Sequence, residues 1–181
     1  LGDVYKRQEG YSPSPQERQS WLQISYMKEA YHTMGPKFTL GWMAEALYSS
    51  KNFSENYTAT MMQAGEFAPT PHSKLMYNEA FRANQYVAAG IKPIYVLNDM
   101  FQFRTEFYGF TPIFPIKKNA LNKAYYGKAF SRFEYMGEVS VICHLPFGAI
   151  SAYVNHYSSP RREWNVGMTI GWQLFNYRFV E

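Results

Sequence analysis

Between residues 162 and 176 the chain reads REWNVGMTIGWQLFN, and apolar and polar residues alternate along it almost without a slip. Trp164, Val166, Met168, Ile170, Trp172 and Leu174 share one parity, while Asn165, Gly167, Thr169, Gly171 and Gln173 share the other. Successive side chains of a strand point to opposite faces, so this pattern restricts the segment to a two-faced β-strand. Its apolar face would suit a soluble core or a lipid bilayer equally well.

The same rhythm recurs upstream in FGAISAYVNHYS, FSRFEYMGEVSVICHL, MFQFRTEFYGFTP, RANQYVAAGIKPIYVL, KFTLGWMAEALYS and ERQSWLQISYMKE. These runs predict about seven strands, each close to the ~9 to 11 residues that a tilted membrane-spanning strand needs. The connections alternate in length. HTMGP, LND and LPFG are tight turns, whereas the segments near 50–81, 114–130 and 158–162 are longer or more polar. Antiparallel membrane barrels place short turns at one rim and long loops at the other. A soluble sandwich has no reason to do so.

The two parities also differ in charge. In KFTLGWMAEALYS, Phe38, Leu40, Trp42, Ala44, Ala46 and Tyr48 oppose Thr39, Gly41, Met43, Glu45, Leu47 and Ser49. In the next two aromatic runs Phe101, Phe103 and Phe107 oppose Arg104 and Glu106, and Tyr135, Val139, Val141 and Cys143 oppose Glu134 and Glu138. A membrane barrel has a wet interior, where Arg104, Glu106, Glu134 and Glu138 are expected as polar inner-wall residues. A soluble barrel would turn these charges outward and bury an aromatic core of great bulk. Aromatics make up 19% of the 181 residues and charged residues only 18%, which favours the first arrangement. No run approaches the ~18 apolar residues of a spanning helix. The expected fold is therefore all-β, the C-terminal part of a transmembrane β-barrel.

Chemistry-bearing motifs are sparse. There is no G-x-S-x-G elbow, and the aspartates are Asp3 and Asp99, the latter in the turn LND. His32, His72, His144 and His156 are not spaced as metal ligands, and the single Cys143 allows neither an internal disulfide nor a cysteine metal site. No catalytic residue, cofactor or metal is expected. The net charge of +4 is a mild excess. Lys117, Lys118, Lys123 and Lys128, with Tyr125 and Tyr126 among them, and Arg161 with Arg162, gather in long loops. Nucleic acid is not the expected partner: lipopolysaccharide phosphates suit a barrel rim better, and plain solvation is the simplest account.

The segment ATMMQAGEFAPTPHSKLMYNEAFRANQYVAAGIKPIY and the ending FGAISAYVNHYSSPRREWNVGMTIGWQLFNYRF resemble the barrel region of Bacteroidetes-type patatin-like phospholipases, whose lipase domain precedes a surface-antigen-type barrel. The resemblance spans roughly residues 15–180. It implies a sixteen-stranded barrel in the bacterial outer membrane, in contact with membrane lipids and the outer-membrane assembly machinery. It also implies a covalently linked lipase domain, with its serine and aspartate, upstream. The superfamily's lumen-plugging loop carries an Arg-Gly-aromatic motif, and the corresponding phrase here is FRANQY, with Ala83 where the family has glycine. By that resemblance the loop 50–81 enters the lumen, and Arg82 pairs with a wall carboxylate, for which Glu106 is the candidate. Two alternatives stand beside this expectation: an assembly or transport barrel of the same superfamily, and a soluble lipid-binding β-barrel. The opening octet LGDVYKRQ resembles translated sequencing-adapter read-through, so the barrel fragment is expected to span residues 9–181, with residues 1–8 outside the fold and the N-terminal part of the natural protein lying upstream.

Overall fold

The computed structural model describes residues 20–159 and 164–172. Residues 1–8, the basic pair Arg161 and Arg162, and the end of the final alternating run from 173 onward lie outside the described residues. In chain order the elements are β1 (Gln23–Thr33), β2 (Phe38–Ser49), α1 (Tyr57–Gln63), β3 (Gly65–Glu66), β4 (Arg82–Ala83), β5 (Gln85–Val96) and β6 (Phe101–Pro112). There follow β7 (Ile116–Lys118), β8 (Ala124–Tyr126), β9 (Glu134–Leu145), β10 (Gly148–Tyr157) and β11 (Trp164–Trp172).

The seven long strands form one antiparallel sheet in the order β1-β2-β5-β6-β9-β10-β11. Each is hydrogen-bonded to the long strand before and after it in sequence. The sheet is open, with β1 and β11 at its edges. Its tight turns are chemically specified. Gly35 supplies a φ of +143° between β1 and β2. Between β5 and β6 the side-chain oxygen of Asn98 accepts from the N–H groups of Met100 and Phe101 at 3.0 and 2.8 Å. All the tight turns lie at one end of the sheet. The connections 50–84 and 113–133 lie at the other, as do residues 158–159 at the end of β10. The central ladder has one interruption, where Lys92 and Pro93 drop out of the β5–β6 pairing because proline has no N–H to donate.

The two faces differ as the alternation predicts, but the charged face is covered. On the apolar parity Val87, Ile91, Phe103, Phe107, Tyr135 and Val139 are exposed, and so are Trp164, Val166, Met168 and Ile170 of β11. On the other parity the connection 50–84 has folded back onto the sheet. Sequence patterning reads 50–81 simply as a long loop; the structure gives it a helix, a two-strand ladder and two 3₁₀ turns, Ser73–Leu75 and Glu79–Phe81. The β7–β8 hairpin, also inside a long connection, is too short to leave a period-two trace.

The core sits between this loop and the sheet. Phe67 and Phe81 of the loop pack with Met43, Leu47, Tyr86, Tyr108, Phe110, Met136 and Tyr157, contributed by five long strands. Phe67 stacks on Phe110 at 5.8 Å and meets Tyr86 and Tyr108 edge-on at 6.1 and 6.0 Å. Gly90 makes room for this arrangement, since a Cβ there would stand 2.2 Å from the Tyr108 ring. Phe67 is the loop's main apolar anchor. Its truncation to alanine should cost about 3 kcal/mol of loop docking, seen as protease cleavage within 50–84 while the long strands keep their amide protection. Unchanged resistance of the loop would show that it is held elsewhere.

Candidate functional site: a loop docked on the charged face

Arg82 ties the loop together. Helix α1 starts at Asn56, whose side chain accepts from the Ala59 N–H at 2.8 Å. At the other end the helix leaves carbonyls without intrahelical partners. Arg82 supplies donors to them: its Nη1 donates to the carbonyl of Met62 at 3.1 Å and, at 3.4 Å, to those of Met61 and Ala64. A cation at a helix C-terminus is also favoured by the macrodipole. The Nη2 atom pairs with the Glu66 carboxylate, which the β3–β4 ladder places directly opposite Arg82. The Tyr77 ring lies 4.8 Å from the guanidinium carbon, a cation–π distance. One planar side chain thereby joins the helix, the short ladder and the Tyr77 segment.

The expected partner of Arg82 was Glu106, and this is corrected: the carboxylate that meets Arg82 is Glu66. Glu106 is engaged on the sheet, where it accepts from the Tyr108 hydroxyl and lies 3.5 Å from Arg104. The reason is local. A two-residue ladder aligns Glu66 with Arg82, so both Nη atoms of the guanidinium are engaged inside the loop. Ala83 in the glycine position of FRANQY is fully buried and has no positive φ, so its backbone needs no glycine.

A second set of contacts fastens the loop to the sheet. Thr70 and Ser73 exchange three hydrogen bonds of 2.8 to 3.2 Å and form a buried turn. Next to it the His72 Nδ1 lies 2.9 Å from the Tyr157 hydroxyl. Asn78 donates to the Ser159 carbonyl at 3.1 Å, and Arg132 donates to the Ala80 carbonyl at 2.7 Å. Tyr86 bridges wall and loop, its hydroxyl donating to Glu45 at 2.6 Å and lying 3.2 Å from the Glu66 carbonyl. Of these residues only Arg82 stands out in the sequence. Thr70, Asn78 and Arg132 act singly from irregular backbone, and Glu66 from a two-residue ladder, where no period marks them.

Beneath the loop the inner face is polar and partly paired, with Glu138 Oε2 and the Asn155 side-chain amide buried without a hydrogen-bond partner among the described residues. Lys92 of β5 pairs with Glu29 of β1. Glu134 accepts from the Ser158 hydroxyl at 2.6 Å, and Arg132 lies 3.7 Å away. Glu106 and Glu138 are opposite one another in the β6–β9 register, both buried, and Asn155 of β10 is opposite Glu138. Buried carboxylates are tolerated only with compensating dipoles or charges. Arg104 and the neighbouring side chains Thr70 and Asn155 lie around Glu138.

The histidines do not converge. His32 accepts from the Trp42 indole at 3.4 Å, His144 sits 3.2 Å from Gln102, and His156 stacks on Trp164 at 4.8 Å. Among the described residues no three of His, Cys, Asp or Glu are grouped as metal ligands. The arrangement is that of an internal segment docked on the sheet. Comparison of the chain with models of known families, with curated proteins and with solved structures finds no match.

Two outcomes follow. Arg82→Ala and Glu66→Ala should each loosen the loop by about 2 kcal/mol, as losses of charged hydrogen bonds do, and the double variant should cost little more than either single. Arg82→Ala combined with Glu106→Ala should instead be additive; hydrogen exchange across 57–83 distinguishes the two cycles. For His72, burial lowers the imidazole pKa below its ordinary value. The docked loop then binds fewer protons than the released loop, so docking is fully supported above about pH 6.5 and weakens as the pH falls below it. His72→Gln should flatten that dependence in the exchange rates of the Thr70–Ser73 turn; an unaltered acid sensitivity would assign it to another group.

Proposed function

We propose that the chain is a wall segment of an outer-membrane β-barrel, with connection 50–84 as its lumenal plug, and that it serves as the anchor or translocator of a patatin-like phospholipase domain carried upstream. It performs no catalysis itself. The observation that carries this reading is the side on which the loop sits. The chain's own loop covers the charged parity, and no described segment covers the apolar one. The predominantly apolar parity of the seven strands, with Lys28 of β1 its one mid-strand charge among the described residues, is far larger than the few hundred Å² that soluble monomers expose. Lipid is the solvent that such a face suits.

The dimensions agree. A strand of 12 residues such as β5 is about 40 Å long, which at the usual barrel tilt of ~45° gives close to 28 Å along the membrane normal. That matches the apolar band of outer-membrane barrels. Both edges of the sheet, β1 and β11, carry unpaired backbone groups, which lipid cannot satisfy. The rest of the barrel wall would pair with them. The patatin-like assignment rests on the resemblance of 59–95 and 147–179 to those proteins. On the same resemblance an assembly or transport barrel of that superfamily would carry such a loop too, and the sequence upstream in the parent gene separates the two: a G-x-S-x-G elbow followed by an Asp-Gly selects the lipase. A soluble lipid-binding barrel would have to turn its aromatic face inward, on the side away from the docked loop.

Val139 tests this. It is half exposed on β9, and in water its replacement by arginine would be nearly neutral. At the centre of a bilayer Val139→Arg should cost about 2 to 4 kcal/mol, read as a lower folded fraction when the full-length protein inserts into vesicles and is followed by its heat-modifiable gel mobility. Insertion unchanged by Val139→Arg would contradict the membrane assignment.

A further inference from the structure

The apolar face has one low strip. Gly109 of β6 and Gly137 of β9 carry no side chain, and aromatic rings lie over them. A Cβ on Gly109 would stand 3.1 Å from the Phe133 ring, and one on Gly137 would stand 3.3 Å from the Phe107 ring. Because the two rings lie along the sheet instead of standing out from it, the space between them is open down to Ala89 and Gly90. The result is a groove of about 320 Å³ walled by Ile91, Phe107, Phe133 and Tyr135. At ~30 Å³ for a water-sized group, that is room for about ten methylene-sized units. Its floor is almost wholly apolar.

The groove lies toward the end of the sheet where the long connections are. Ala89 is near the start of β5, and Phe133 immediately precedes β9. The connection that leads into Phe133, residues 113–133, contains Lys117, Lys118, Lys123 and Lys128 and neither aspartate nor glutamate. All four lysines are exposed, and none belongs to an ion pair among the described residues. The hairpin that carries the first three is held in shape: the Asn119 side-chain oxygen accepts from the N–H groups of Leu121 and Lys123 at 3.0 and 2.8 Å. The Tyr57 N–H donates to the Asn122 carbonyl at 2.8 Å, tying the hairpin tip to α1. Positive charge is thus presented from a braced turn at the same end as an apolar trough.

We propose that groove and basic connection together bind one anionic phospholipid, its acyl chain lying over Ala89 and Gly109 and its phosphate among the lysines. This rests on the membrane assignment made above. The apolar trough specifies a lipid chain, and the cluster of unpaired cations specifies a negative head group, since basic residues near a membrane surface favour anionic lipids. Free phosphate would leave the trough unused.

The test is lipid retention. The full-length protein is inserted into vesicles of equal parts phosphatidylglycerol and phosphatidylcholine with identical acyl chains, and bound lipid is read by native mass spectrometry after extraction into mild detergent. The wild-type chain should keep phosphatidylglycerol over phosphatidylcholine by roughly tenfold. Replacing the four lysines with glutamine should bring that ratio close to one without altering insertion. Ala89→Phe, which fills the trough from the lipid side, should reduce retention of both lipids. Should Ala89→Phe fail to insert, the lysine variant still decides, because its substitutions are all on exposed positions of the connection. Insertion with no head-group preference, or a preference that survives loss of the lysines, overturns the lipid site alone. A full-length wild-type protein that stays extractable by alkaline carbonate removes the membrane assignment and this proposal together.

Discussion

Everything else in this structure depends on the packing of the 50–84 connection against the charged parity of the sheet. A two-faced sheet must place each face against something. Here Phe67 and Phe81 fill the hollow made by Tyr86, Tyr108, Phe110 and Tyr157, and the carboxylates around them are removed from water. Such a packing is stable only if the buried charges find partners, and nearly every contact beneath the loop serves that end. With one face so occupied, the proposed membrane role assigns the other to lipid. The direction in which the sheet faces its surroundings follows from which side the loop takes.

The electrostatics follow strand register. Because side chains on one face recur every second residue, a register that aligns the strands also aligns rows of charge across them. Glu106, Glu138 and Asn155 belong to one such row, with Lys92 at the break where Pro93 interrupts the ladder. Arg82 differs from these in that its partners are carbonyls at the end of α1 and the carboxylate of Glu66, all within the loop. The loop therefore holds its own shape through Arg82 and its place on the wall through Phe67, Tyr157 and Arg132. Shape and place can be perturbed separately.

The strands, their parity and the alternation of short turns with long connections were legible because each rests on a period or a turn residue. The run KFTLGWMAEALYS became β2 within a residue, and the faces assigned around Arg104, Glu134 and Glu138 are the faces observed. The first strand was less well placed: β1 runs to Thr33, past the expected turn onset at His32, because Tyr31 and His32 continue its alternation. The interior of the loop was not legible. Helix α1 is two turns long, and the β3–β4 ladder has two residues a side, lengths at which periodicity carries no information. Glu66 follows a glycine in AGEF and could not be distinguished from any solvated glutamate. The pairing of Arg82 with Glu106 failed for that reason, since a long-range partner was sought where a short ladder had already supplied one.

The central claim is that the apolar parity of the sheet faces lipid and the charged parity does not. Spin labels placed singly along β9, at outward Tyr135, Val139 and Val141 and at inward Met136, Glu138 and Ser140, with Cys143 replaced by serine, measure it most directly in vesicles. Collisions with oxygen, which concentrates in the bilayer, should rise and fall with a period of two along the strand and peak at the outward positions, while a water-soluble nickel chelate reaches none of the three outward sites. Nickel access at Tyr135, Val139 and Val141, or oxygen exposure with no alternation, would contradict the account.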